Sequence, residues 1–143
     1  ALLATKRRPA EAFAILDRAA ARFPRDREIL LRRGLAAELA GNREAADRAL
    51  IDLRSQWPEW SAAWAAEGIV LARRGDAADA RKALETAIAL GASGPEVYYY
   101  LAKSAGDRET AEAAMAQARR LAPNDPSING GATGPPGLER FLR

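Results

Sequence analysis

Residues 61–94 read SAAWAAEGIVLARRGDAADARKALETAIALGASG, and this stretch decides the fold. It holds two runs with apolar residues at three- and four-residue intervals, separated by Gly75-Asp76. The first run carries Trp64, Gly68 and Leu71; the second carries Ala77, Ala80, Ala83, Leu84 and Ala87. That spacing is the period of a helix with one buried face. Alanine, about a quarter of the chain, is the best helix former. Gly41-Asn42, Gly75-Asp76 and Gly106-Asp107 each pair a glycine with an Asx residue: glycine accepts the left-handed conformation that ends one helix, and the Asx side chain caps the next. Residues 61–94 thus predict a pair of helices joined by a short turn.

Outward from this stretch the same residues return 34 positions away. Gly68 echoes Gly34, Gly75 echoes Gly41, Ala80 echoes Ala46, Ala83 echoes Ala49, Leu84 echoes Leu50, and Pro58 echoes Pro24. One slot reads Ala12, Ala46, Ala80, Ala111; a second Leu16, Leu50, Leu84, Met115; a third Ala19, Leu53, Ala87, Ala118; a fourth Pro24, Pro58, Ala92, Pro123. The last step in each slot is 31 residues, so the final unit is three residues short. Upstream lie Leu30, Trp64 and Tyr98, then Gly34, Gly68 and Ala102. Glycine at 34 and 68 and alanine at 46 and 80 let two helices approach closely, with Trp64 and Leu84 filling the space between. A lone pair of this size buries too little, whereas stacked neighbours bury a continuous core.

The pattern of a large apolar residue, a small residue four on, an alanine twelve beyond that and a closing proline resembles the tetratricopeptide repeat. The resemblance covers about residues 1–126. It departs from the family at Arg33, where a leucine is usual, at Ala37, where a tyrosine is, and at Ala102, where a glycine is. It implies an all-α, right-handed superhelix of antiparallel helix pairs, an α-solenoid. Residues 1–24 would be the second half of a truncated unit, 25–58 and 59–92 full units, 93–126 a shortened unit, and 127–143 a Gly/Pro-rich tail. Helices are expected near residues 9–22, 27–40, 43–56, 60–73, 76–89, 95–105 and 107–121, with Pro9 and Pro95 in the first turns of theirs. Leu3 shares the slot of Ala37 and Leu71, so residues 1–6 read as the last turns of a preceding helix, and the chain as a segment of a longer array. A natural protein with a frayed N-terminus is the alternative.

Composition narrows the function. The chain has no cysteine and no histidine, which removes disulfides, thiolate and imidazole chemistry and the usual zinc ligands. The acids Glu67, Asp76, Asp79 and Glu85 fall on helix faces or caps without paired spacing. Gly130-Gly131 has no lysine following, so no phosphate loop exists. An enzyme is not expected, and no cofactor. No apolar run approaches the roughly 20 residues of a membrane helix, so no membrane insertion is expected; no signal segment is visible in this chain, and the compartment is left open between a bacterial cytoplasm and periplasm. The bacterial source is a reading of nineteen arginines against three lysines, with abundant alanine, as the product of a GC-rich genome. The net charge is +3, with the bases interleaved among acids. Arg32-Arg33, Arg73-Arg74 and Arg119-Arg120 read as solvated helix ends, where cations offset the dipole. A phosphate-tracking surface needs a continuous basic stripe, so no nucleic-acid partner is expected.

What remains is binding to protein. The family resemblance implies that the first helix of each unit lines a concave groove that takes a partner peptide or helix. By slot the candidates are Glu28, Leu31, Leu35 and Glu38; then Ala62, Ala65, Ile69, Ala72 and Arg73; then Tyr99, Tyr100 and Lys103. The competing reading has Leu31, Leu35 and Ile69 packed against neighbouring helices. One subclass of the family clamps a carboxylate with asparagines and lysines, but the matching slots here hold Leu35, Glu38, Ile69 and Ala72. Consecutive residues Tyr98-Tyr99-Tyr100 lie about 100° apart on a helix, so they cannot all be core. Tyr98, in the slot of Trp64, is expected inside, and Tyr99 and Tyr100 point toward the groove or the helix flank, either as anchors or packed on the third unit. Trp60, in the slot of Asp26, reads as packed on Trp64 one turn along, with partial exposure at this turn position the alternative, and Trp57 is expected to pack between units. The alternative to a peptide scaffold is self-association, in which bare end helices of one chain stack on another.

Overall fold

The structure, a computed structural model, describes residues 2–126 and residue 128. The Gly/Pro-rich stretch 129–137 and the segment 138–143 lie outside the described residues. Seven helices account for the fold: α1 (Leu2–Arg22), α2 (Arg27–Leu39), α3 (Arg43–Gln56), α4 (Ser61–Arg74), α5 (Ala77–Ala89), α6 (Pro95–Ser104) and α7 (Arg108–Leu121). No strand occurs among the described residues. The chain divides between Pro58 and Glu59, at the closing proline of the second repeat. In the first unit α1 packs on α2 and α2 on α3; in the second α4, α5, α6 and α7 pack in succession, and α4 also touches α6.

From α2 onward the helix ends fall within one residue of those the sequence predicts. The first helix does not. It begins at Leu2 rather than residue 9, and Pro9 lies inside it, buried. An interior proline has no N–H to donate one turn back, and its ring crowds that carbonyl, a local cost of about 3 kcal/mol. The turns follow the predicted chemistry at some joints only. Gly41 and Gly75 adopt φ of 87° and 91°, and Asn42 Oδ1 accepts from the Ala45 N–H at 3.2 Å. Asp107 Oδ1 accepts from the Thr110 N–H at 2.7 Å. Asp76 stands at the cap position of α5 without a side-chain bond. Gly106 is not left-handed, because Ala105, with ψ of 143°, has already carried the chain out of α6 in extended form. Asp26 caps α2, accepting from the Glu28 and Ile29 N–H groups at 3.1 and 3.2 Å.

The helices of each pair meet at the small residues. A Cβ built on Gly68 would stand 2.5 Å from Leu84 Cγ and 3.1 Å from the Leu84 backbone nitrogen. One on Gly34 would stand 2.9 Å from Ala49 Cβ. Both glycines therefore sit where backbones close to contact. Leu84, Leu53 and Leu35 are fully buried, each contributing about 1.5–3 kcal/mol of hydrophobic stabilisation. Trp64, expected to share the space beside Leu84, is half-buried, as are Trp57 and Trp60. Arg32-Arg33 falls mid-helix rather than at a helix end; the last turn of α2 carries no base. Arg33 instead reaches Asp17 of α1 at 3.4 Å. Arg73-Arg74 and Arg119-Arg120 do occupy the last turns of α4 and α7.

Candidate functional site

The first helices of the repeats, α2, α4 and α6, turn most of their large apolar side chains inward. On α2, Leu31 and Leu35 are buried, Glu28 is exposed and Glu38 is half-buried. On α4, Ala65 and Ile69 are buried, Ala62 and Ala72 half-buried, and Arg73 exposed. Leu31, Leu35 and Ile69 thus follow the packing reading rather than the groove reading. On α6 Tyr98, expected inside, is only half-buried, whereas Tyr99 and Tyr100 are buried, which fits the packing reading of these two rather than the anchor reading. Tyr99 and Tyr100 pack edge to face on each other, centroids 5.2 Å apart at 85°, an arrangement that holds both rings in one cluster. The family slot places only the first tyrosine of the run and says nothing of the two that follow.

The fully exposed candidates on α4 and α6 are cationic. Arg73 on α4 and Lys103 on α6 are both exposed, on two helices that touch. Lys103 Nζ lies 5.5 Å above the Tyr99 ring, so its stem covers the aromatic cluster while its ammonium stays in water. From Lys103 an open cleft of about 320 Å³ runs between α6 and α7, floored by Ala102, Ala111 and Met115 and rimmed by Arg108, Arg119 and Glu112. Glu112 already pairs with Arg108 at 2.8 Å, so the rim keeps a positive excess from Lys103 and Arg119. Sequence reasoning missed Arg108 and Met115 as parts of such a cleft. The helical spacing Arg108, Ala111, Met115, Arg119 was the available signal.

In the first unit a smaller cleft of about 250 Å³ is lined by Pro24, Leu30, Arg33, Asp52 and Gln56. Its charges are mixed, with Asp52 and Arg33 both in the lining, so it attracts neither sign strongly. Asp107, at the start of α7, holds its proton more weakly than an ordinary carboxylic acid, because the Thr110 backbone N–H and hydroxyl donate to the ionised form. That is cap chemistry at an exposed turn rather than a site poised for proton transfer. Among the described residues no three acidic side chains converge as a metal site would require. No described helix is long and apolar enough to cross a membrane. No protein-family model matches the chain, and no curated protein matches it either.

Proposed function

We propose that this chain is a non-enzymatic protein–protein interaction scaffold of tetratricopeptide type, its helix pairs following one another in a right-handed superhelix. Its first helices form the concave groove, and a peptide or helix of a partner protein lies along it. The observation that supports this most is the pair Arg73 and Lys103, exposed on touching helices whose large apolar side chains are largely withdrawn into the core. A ligand there is held by charge-assisted hydrogen bonds from its carboxylates and by contact with the small half-buried Ala62 and Ala72. Leu31, Leu35, Ile69, Tyr99 and Tyr100 shape that surface from beneath rather than touching the ligand.

A photo-crosslinking residue placed in turn at positions 73 and 103, and at 82 and 85 of α5, tests the assignment in the native cell. Partner adducts at 73 and 103 and none at 82 and 85 are expected; the reverse pattern moves the site to the second helices. Self-association is the competing use of the same architecture, favoured by the exposure of Ile15, Ile51 and Leu121. Light scattering over a dilution series separates the two, a concentration-independent mass supporting the scaffold.

A further inference from the structure

The cleft of about 250 Å³ in the first unit lies at a place where the repeat register elsewhere supplies larger side chains. Ala20 of α1, Leu30 of α2 and Leu53 of α3 are among its walls. All three helices belong to the first unit, and α2 packs against both of the others. The second unit repeats this arrangement, with α6 packed against both α5 and α7. There Ile88 takes the slot of Ala20, and Tyr98 that of Leu30. In the repeat between them Trp64 holds the Leu30 slot. Ile88, Tyr98 and Trp64 are all half-buried. Protein interiors pack to nearly crystalline density. Alanine and leucine, where the counterparts are isoleucine and an aromatic ring, therefore leave a volume that the first unit does not fill.

The lining is also more polar than its counterpart. Arg33 and Gln56 stand where the second unit has Leu101 and Leu121, and Asp52 stands where it has Gln117. Asp17, 3.4 Å away, holds the Arg33 guanidinium, while Asp52 and Gln56 are exposed. A ring entering over Leu30 meets apolar wall at Ala20 and at Leu53, which is 1% exposed. The Asp52 carboxylate and the Gln56 amide oxygen can accept a hydrogen bond from its edge. The Arg33 guanidinium can lie against its face.

We propose that this cleft binds a tryptophan side chain presented by a peptide segment of another protein. The chain's own register indicates the occupant, since an aromatic ring with a polar edge fills the Leu30 slot in both later repeats. The size agrees: whole small molecules occupy pockets of about 300–1,000 Å³, and 250 Å³ suits a single anchoring side chain. The charges agree as well. Arg33 and Asp52 together give no net pull on an ion, and they favour a neutral ring that donates one hydrogen bond. Tryptophan combines that donor with a large apolar body, which makes it a frequent interface anchor. Phe141 of this chain, outside the described residues, is the competing ring, and it has no donor for Asp52. The site uses neither α4 nor α6, so it does not rest on the groove proposed above.

The probes are N-acetyltryptophanamide and N-acetylleucinamide, titrated into the isotope-labelled whole chain and followed by amide shifts in NMR. The tryptophan probe should move the amides of Ala20, Leu30, Arg33 and Asp52 saturably, with an affinity that added salt leaves unchanged. The leucine probe should bind about tenfold more weakly. Leu30→Trp sets the chain's own ring in the cleft, so it should raise the thermal midpoint and weaken the tryptophan probe about tenfold or more. Ala20→Ile narrows the same space and should also weaken the probe, which keeps the test decisive if Leu30→Trp does not fold. Free tryptophan should bind no more tightly than the blocked form, and Phe141→Ala should leave the affinity as it is. The proposal is overturned by the absence of saturable shifts at these residues, by equal binding of the leucine probe, or by full binding in the folded cleft variants. It is overturned too if free tryptophan binds about tenfold more tightly than the blocked form, which marks a site for the amino acid itself. A similar gain on Phe141→Ala would make the chain's own ring the occupant.

Discussion

Replacing Gly68 by alanine adds one methyl group where α4 and α5 approach closely in the second unit. The new Cβ would lie 2.5 Å from Leu84 Cγ, 2.6 Å from Cδ2 and 3.1 Å from the Leu84 nitrogen. Carbon atoms rest at about 3.5–4.0 Å, so roughly 1 Å of separation must be found. Leu84 is fully buried and cannot swing into solvent, which leaves α4 and α5 to move apart. Overpacking of this kind costs about 1–3 kcal/mol. Alanine returns about 1 kcal/mol of helix propensity over glycine, so the net loss is about 0–2 kcal/mol. Gly68→Leu carries three more carbons into the same contact and should lose about 1–3 kcal/mol or more. Urea denaturation followed by far-UV circular dichroism reads these losses as shifts of the midpoint by up to about 1 M. The decisive comparison is a cycle with Leu84→Ala, itself costing about 2–5 kcal/mol. With the leucine gone, Gly68→Ala should become neutral or stabilising by up to about 1 kcal/mol, a coupling between contacting residues. If Gly68→Ala has the same effect in both backgrounds, or stabilises the unaltered chain, the close approach is not what glycine serves there.

Gly75, with φ of 91° and open space around it, isolates backbone strain: Gly75→Ala should cost about 1–2 kcal/mol, with Gly75→Asn costing less, by the same denaturation. Asp26→Ala should destabilise by about 1 kcal/mol, whereas Asp76→Ala, whose side chain makes no cap bond, should change the midpoint far less. Because the folded Asp107 carboxyl titrates below its ordinary value, its stabilisation of α7 is present above the unfolded pKa near 3.9 and is lost as pH falls through the folded value. The protection factor of the Thr110 amide, its exchange rate relative to an unstructured amide at the same pH, should therefore fall in acid. Asp107→Asn should abolish that acid dependence while keeping a cap.

The helices and their pairwise contacts could be read from the chain because they depend on residues close together in sequence. The Gly34 and Gly68 slots, the turn glycines at 41 and 75 and the caps at Asn42 and Asp107 each act within one turn or one helix pair. What the repeat could not state was which side of a first helix remains open, since that depends on neighbours no local pattern encodes. Tyr99 and Tyr100 read either as surface anchors or as packed residues, and their burial favours packing. Leu31, Leu35 and Ile69 fitted two roles equally well by slot, and burial chose between them. Arg33 looked like a helix-end cation until the fold brought Asp17 of α1 beside it. Only the tertiary structure decides burial, because sequence period specifies which side chains share a face and says nothing of what lies against them.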